Sequence, residues 1–466
     1  MEPFELSATQ ALDALAKREI SSRELVQSSI QRIEETRSIN AVCTSIPDLA
    51  LKAAETSDRK RSSGATLGRL EGLPVLHKDL IDTAGIRTTY GSAAFKDHVP
   101  QTDAEVVSRI ANAGAITLGK TNTPQFGTGG HTHNEVFGTT LNPFDLSKSA
   151  GGSSGGSASA LGAQVVSLAT GTDMAGSLRI PSSFCGTVGL RPSPGMVPWR
   201  PTKMAWFPFV AAGPMARNVD DLALLMSVMA GHDPRTAISF SGSGEIFADL
   251  SKHAPKKWRV AWAPQIAGLP VDEEVLLKLA EVLEVLKSMD VELIEAEPDL
   301  SEAHETFMVW RTWYYATQYG ELLKASPMVL DEATASNTEA GLKLTSEQLG
   351  NAEHKRSRLH DSTVKFFDDF DILITPCTPT TAFDATEKWP RKVAGQEMNS
   401  YLDWMRHLYY LTAAGVPALS LPVGLDTSGL PVGIQIVSAP RRDLDVLLFA
   451  KQLEKCIGPL PHTPIF

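Results

Sequence analysis

The stretch RVAWAPQIAGLPVDEEVLLKLAEVLEVLKSMDVELIEA, residues 259–296, reads as a strand (259–263), a helix (272–289) and a second strand (291–296). A strand, a helix and a strand in that order make a βαβ unit. On its C-terminal side, helices are expected at 301–324 and 345–368. Strands follow at 370–375, 417–421 and 431–437, with a closing helix near 442–455. On its N-terminal side, Leu73 to Leu76 is a short apolar strand candidate. DAEVVSRIANAGA (103–115) is a helix leading into the strand ITLGK (116–120), with Gly114 at the expected helix C-terminus. Residues 158–169 suit a buried helix leading to a strand. Residues 1–60 read as helices, since Val26, Ile30 and Ile33 recur at helical spacing and Ser21 with Glu24 has the capping-box pattern. Residues 121–157 show almost no periodicity, but Phe126, Val136, Phe137 and Phe144 favour an ordered loop. Alternating strands and helices argue for an α/β sheet covered on both faces.

The chain has 466 residues, enough for one large domain or two ordinary ones. Its 42% hydrophobic and 21% charged content is ordinary for a globular protein. The net charge of -11 argues against nucleic acid as a partner, because phosphate binding needs clustered Lys and Arg. Cys43, Cys185, Cys377 and Cys456 are far apart with no C-x-x-C pair, so reduced thiols and a cytoplasmic location are expected. The opening MEPFELSATQ has no basic start followed by an apolar run, so no signal peptide is expected. No window approaches 18 consecutive apolar residues, and no membrane partner is expected. A homodimer stays open.

Three segments carry chemistry. In GLPVLHKD (72–79), Lys78 follows an apolar strand candidate. Its amine is either a solvated strand end or partly withdrawn from water, and desolvation makes a lysine a usable base. GGSSGGS (151–157) is either a flexible linker or a nucleophile elbow of the G-x-S-x-G type, centred on Ser153 or Ser154. The elbow needs a preceding strand, and DLSKSA is not one. GTDMAGSLRIP (171–181) is either a polar turn or a run of backbone N–H groups before Ser177 able to hold an oxyanion.

Together, in content, order and spacing, these segments resemble the amidase signature family. Ser153 lies 75 residues after Lys78, and Ser177 lies 24 after Ser153. The resemblance extends to TTYGS (88–92), AGAITLGKTNTP (113–124), NEVFGTTLNP (134–143), FCGTVGLRP (184–192) and GPMAR (213–217). Near the end it takes in GVPALSLPVG (415–424) and GLPVGIQ (429–435). It covers most of 5–235 and 365–460 and is weak over 236–365. Met174-Ala175 replaces a common Thr-Gly, Gln125 a common Glu, and Thr412-Ala413-Ala414 a familiar Asn-Leu-Thr. These departures bear on substrate choice.

The resemblance implies a single α/β domain over 1–466, with a large mixed sheet flanked by helices on both faces. Its parts would be N-terminal helices (1–60), a signature core (65–235), a variable helical and βαβ region (236–365) and a C-terminal part of the core (366–466). It implies hydrolysis of an amide or anilide, with carbamates or esters also suited to the chemistry. Ser177 would be the nucleophile and Ser153 the proton relay to a neutral Lys78. Thr172, Met174, Ala175, Gly176, Ser154, Phe126 and Gly127 would supply oxyanion or substrate contacts, braced by Asp173 and Arg179. A cis peptide between Gly152 and Ser153 is implied, and neither metal nor cofactor.

The A-type subunit of a tRNA-dependent amidotransferase shares this signature, and a catalytically silent binding protein is a further alternative. Ser362 and Lys365 form an S-x-x-K of the penicillin-binding type, but without K-T-G or S-D-N it reads as chance on a helix. His131 and His133 lack an evident carboxylate or Cys partner and read as loop polarity, while His77 reads as local packing. Trp310, Trp313, Tyr314, Tyr315 and Tyr319 form one aromatic cluster, and Tyr401, Trp404, Tyr409 and Tyr410 another. They are either core or, with Trp199, Trp206 and Phe207, the wall of a pocket above Ser177.

Overall fold

The computed structural model describes residues 2–254 and 256–460. The end of the expected C-terminal part, 461–466, lies outside them. Among the described residues eleven strands form one sheet. They are β1 (Val42–Ser45), β2 (Pro74–Lys78), β3 (Ile116–Thr121), β4 (Leu168–Asp173), β5 (Val188–Arg191), β6 (Ala211–Ala216), β7 (Trp258–Trp262), β8 (Val291–Glu295), β9 (Ile372–Pro376), β10 (Ala418–Leu425) and β11 (Pro431–Val437). Their spatial order is β1-β3-β2-β4-β6-β5-β10-β11-β9-β7-β8. The stretch 259–296 folds as expected. Helix Glu273–Ser288 buries Val275, Leu279, Val282 and Leu286, and β8 returns parallel to β7 with Val291 opposite Trp258.

The sheet is mixed. The trio β3-β2-β4 and the trio β8-β7-β9 are parallel. The strands between them, from β4 to β9, pair antiparallel. Successive side chains leave a strand on opposite faces. Val75 joins one apolar cluster and Leu76 another, and Leu419 and Ala418 divide the same way. Helices Val219–Met229, Glu273–Ser288 and Asp443–Ile457 cover one face. Gly155–Gly162, Arg179–Phe184, Ala303–Ala325 and Arg406–Ala414 cover the other. Every residue of β2 and β9 is buried, so neither strand shows an alternation to read.

Two elements differ from the sequence reading. Residues 1–60 are not all helical, because Val42–Ser45 pairs antiparallel with β3 at the sheet edge. Three half-buried residues and one exposed one are too few to show a period. Helix Glu332–Leu342 is absent from the sequence reading, since its Ala, Thr, Ser and Asn residues form no apolar stripe. It packs instead by close approach: a Cβ on Gly341 would lie 1.9 Å from the Thr312 carbonyl oxygen. The 121–157 loop is ordered by side-chain bonds to backbone. Asn134 Oδ1 accepts from Val136 and Phe137 N–H (2.9 and 2.8 Å), and Asn142 Nδ2 donates to the Phe184 carbonyl at 2.8 Å. No helix among the described residues is long and apolar enough to cross a membrane.

Gly156 sets how closely helix Gly155–Gly162 approaches the residue before β1 and the residue after β3. A Cβ there would stand 2.3 Å from Asn122 N and 2.7 Å from the Ala41 carbonyl oxygen, with backbone on both sides unable to give way. Gly156→Ala is therefore expected to destabilise the fold by about 1–3 kcal/mol, measured by urea unfolding. An unchanged midpoint would show that the helix shifts freely.

Candidate active site

Parallel strands β2 and β4 lie side by side, with His77 opposite Thr170; β2 ends at Lys78 and β4 at Thr172 and Asp173. The crevice beyond the carboxyl ends of such strands is the usual ligand site of an open α/β sheet. Lys78 is fully buried there. Its Nζ donates to Ser153 Oγ at 2.7 Å, Thr172 Oγ1 at 2.9 Å and Ser154 Oγ at 3.1 Å. All three acceptors are neutral. Burial pushes the Lys78 amine down to about 7 against the opposing charge of Asp173. Ser153 and Ser154 immediately precede helix Gly155–Gly162. The Gly152–Ser153 peptide is cis.

The turn after β4 is organised by Asp173. Its carboxylate accepts from the Gly176 N–H at 2.9 Å, the Leu178 N–H at 3.1 Å, and Arg179 Nε and Nη2 at 3.1 and 3.0 Å. Arg191 donates to the Asp173 carbonyl at 2.8 Å. Burial alone would raise this carboxyl, but the two guanidinium groups and the Gly176 amide hold it at about 2. Arg179 continues to the Leu408 carbonyl (3.0 Å) and Gln435 Oε1 (2.8 Å), joining the turn to the C-terminal part of the sheet. Gly176 adopts φ +110, and a Cβ there would lie 2.7 Å from Leu408 Cδ2. Its N–H is taken by Asp173, so it is not an oxyanion donor in this geometry. The Ser177 carbonyl accepts from Ser154 N–H at 3.1 Å, tying the two serine segments together.

Ser153 and Ser177, 1% and 6% exposed, open onto one cavity of about 830 Å³. Met174, Ala175, Thr172, Phe126 and Gly127 line it too, and a Cβ on Gly127 would lie 3.3 Å from Ser153 Oγ. Lys78 lies behind the serines, and Arg179 behind the turn. The aromatic clusters divide. Tyr314, Tyr315, Tyr319 and Trp199 face the cavity. Phe207 stacks behind Tyr314 with ring centroids 4.8 Å apart, Trp206 is 76% exposed, and Trp404 and Tyr409 are buried core. Pocket wall and packing are both correct, for different residues.

The remaining candidates sit elsewhere. His131 and His133 each pair with a loop hydroxyl, Ser149 and Thr139. His77 lies between Thr170 and Thr117. Lys365 is exposed on helix Ser346–Asp369, away from the cavity. Sequence reasoning missed Arg191 and Gln435, although both lie in quoted motifs. It also missed Lys120, a second buried lysine whose Nζ holds the Ile81 carbonyl and Thr83 Oγ1, and Arg311 in the cavity wall.

A family model described as Amidase matches residues 24–447. An acylamidase of Rhodococcus erythropolis is 33% identical over 454 residues, spanning 96% of this chain and 95% of its own. The A-type subunit of the glutamyl-tRNA(Gln) amidotransferase of Caldanaerobacter subterraneus is 30% identical over 487 residues, spanning 98% and 97%. The crystal structure of a bacterial aryl acylamidase belonging to the amidase signature enzymes superposes with a TM-score of 0.90 at 27% identity, covering 97% of this chain and 96% of that one.

The lowered Lys78 value has a consequence for stability. Between about 7 in the folded state and the ordinary value of 10.5 in the unfolded state, only the unfolded chain holds the proton. Stability from this group therefore rises with pH across that window. The difference in unfolding free energy between the wild type and Lys78→Met should grow by about 1.4 kcal/mol per pH unit from pH 7.5 to 9.5. A flat difference would mean that Lys78 stays charged.

Proposed function

The chain belongs to the Amidase family, and from that premise we propose that it hydrolyses a carboxamide C–N bond through an acyl-enzyme formed on Ser177. The observation that carries this reading is Lys78, a buried amine bonded only to hydroxyls, Ser153 among them. An amine held near 7 has a substantial neutral fraction at working pH, as a general base requires. Ser177 Oγ attacks the carbonyl carbon while its proton passes to Ser153 and the Ser153 proton to Lys78. The oxyanion is held by backbone N–H groups of the 174–177 turn other than that of Gly176. Each donor of this kind is worth about 2.7–4 kcal/mol. The C–N bond then breaks, and the amine leaves with the proton returned through Ser153. Water enters, gives a proton along the same route, and releases the acid. Asp173 and Arg179 keep the turn in place.

Substrate size follows from the wall. Phe126, Tyr314, Tyr315, Tyr319 and Trp199 give the cavity an apolar lining suited to an aryl or alkyl body. The likeness to an aryl acylamidase structure supports anilides among the amides. A second reading, the A-type subunit of a tRNA-dependent amidotransferase, is favoured by the 30% identity to that protein. It requires a partner protein, whereas the first requires none. A cytoplasmic location, inferred from the unpaired cysteines, suits either.

Three measurements on the purified chain test the proposal. Ser177→Ala should lower kcat on a 4-nitroanilide by about 10⁶-fold with the fold retained. In the wild type, kcat/KM should rise with unit slope to a plateau with an apparent pKa near 7. An aryl amide should exceed acetamide in kcat/KM by at least about tenfold, the discrimination expected of an apolar pocket. Turnover surviving in Ser177→Ala removes the nucleophile, and preference for acetamide removes the pocket. Activity appearing only with a partner protein and tRNA favours the second reading.

A further inference from the structure

One cavity residue has no part in the proton route. Arg311, on helix Ala303–Ala325, is 3% exposed and lines the cavity. Its Nε donates to Asn337 Oδ1 at 3.2 Å, and its Nη2 to Tyr315 OH at 3.1 Å and Tyr401 OH at 2.8 Å. Nη1 donates to Met174 Sδ at 3.3 Å. A guanidinium has five N–H donors and keeps its charge, while a thioether is a weak acceptor. Nη1 therefore holds the donors left weakly met, beside Met174, three residues before Ser177. The Tyr315 ring lies against the guanidinium, with its centroid 4.6 Å away, and helps fix its plane.

All four bonded partners of Arg311 are neutral. The other buried guanidinium groups near the turn differ, for Arg179 and Arg191 share Asp173. A buried cation without a counter-ion is costly, and a charge-assisted bond to a carboxylate is the strongest way to satisfy it. Among the described residues of the lining outside the Asp173 network, Arg200 and Lys203 are matched by Glu321 and Asp82, so the charge of Arg311 is the one left over. Asp82, the other acid of the lining outside the Asp173 network, accepts the Tyr90 hydroxyl at 2.6 Å.

We propose that Arg311 Nη1 binds a carboxylate oxygen of the substrate, so that the preferred amide has an apolar or aryl body and an acidic group on its acyl or amine part. The inference rests on the proposed hydrolysis at Ser177 only for which bond is cut.

The test uses butyryl 4-nitroanilide against monosuccinyl 4-nitroanilide for an acid on the acyl part. Butyranilide against 4-(butyrylamino)benzoate places the acid on the amine part. Calorimetric binding to Ser177→Ala should favour the acid of at least one pair by tenfold or more. In the wild type, kcat/KM should favour the same acid. In Ser177→Ala/Arg311→Gln the binding ratio should fall to about one, and Arg311→Lys, which keeps the charge, should restore part of it. Circular dichroism and melting curves show whether each variant is folded. If Arg311→Gln is unfolded, the Arg311→Lys ratio decides: a ratio equal to that of the parent overturns the fork-specific contact, and a reduced ratio supports it. Equal binding of acid and neutral ligands by Ser177→Ala, or a preference that survives in folded Arg311→Gln, overturns the proposal. Binding is read without turnover, so failure of the wild type to hydrolyse any of the four counts against the Ser177 reading and leaves the Arg311 result standing.

Discussion

Asp173, removed from water between Arg179 and Arg191, is the constraint on which the rest of the site depends. A carboxylate at that depth is tolerated only when charges and donors surround it, and here two guanidinium groups and two backbone N–H groups do so. In satisfying it, the chain fixes the turn that presents Ser177. The left-handed Gly176 brings its N–H to the carboxylate, and Arg179 reaches onward to Leu408 and Gln435. Removing one partner of such a pair generally costs about 3–5 kcal/mol. The backbone around Ser177 is thus held by charges that the proposed proton route does not use.

Two lysines, Lys78 and Lys120, are also fully buried. Asp173 acts on Lys78 as a distant charge that favours the ammonium, yet burial outweighs it. That balance exists because the Asp173 charge is already shared by two arginines. Were either guanidinium absent, the carboxylate would act on Lys78 with less compensation and draw its amine towards the charged form. Lys120, pushed down to about 8 by burial, has the nearby Asp79 acting on it but bonds a carbonyl and a hydroxyl. It fastens the 79–83 turn, from which Leu80 and Ile81 reach the cavity.

Much of this is legible in the sequence, for definable reasons. The βαβ stretch carries its period openly, and the resemblance, through the 75-residue and 24-residue spacings, points to Lys78, Ser153 and Ser177 as a set. Val42–Ser45 is not legible, because a four-residue edge strand has no room for a pattern. Helix Glu332–Leu342 is hidden by small polar residues that pack through backbone contact. Gly176 reads as an oxyanion donor because sequence counts N–H groups and cannot say which of them are already bonded. Arg311 leaves no trace at all, since a buried arginine is recognised only by what surrounds it, and those partners come from residues 174, 337 and 401.

Helix Ala303–Ala325 belongs to 236–365, where the family resemblance is weakest, yet it supplies Tyr314, Tyr315, Tyr319 and Arg311 to the cavity. Lys78, Ser153, Ser177 and the Asp173 network come from other segments. The proposed reactive residues and this part of the cavity wall therefore lie in different stretches of the chain, although Phe126 and Trp199 of the same wall lie in the signature region. Exchanging the helix would change that part of the wall and leave Lys78, Ser153 and Ser177 in place. The thirteen-residue span from Phe307 to Tyr319 is accordingly the economical place to randomise when a new substrate range is sought.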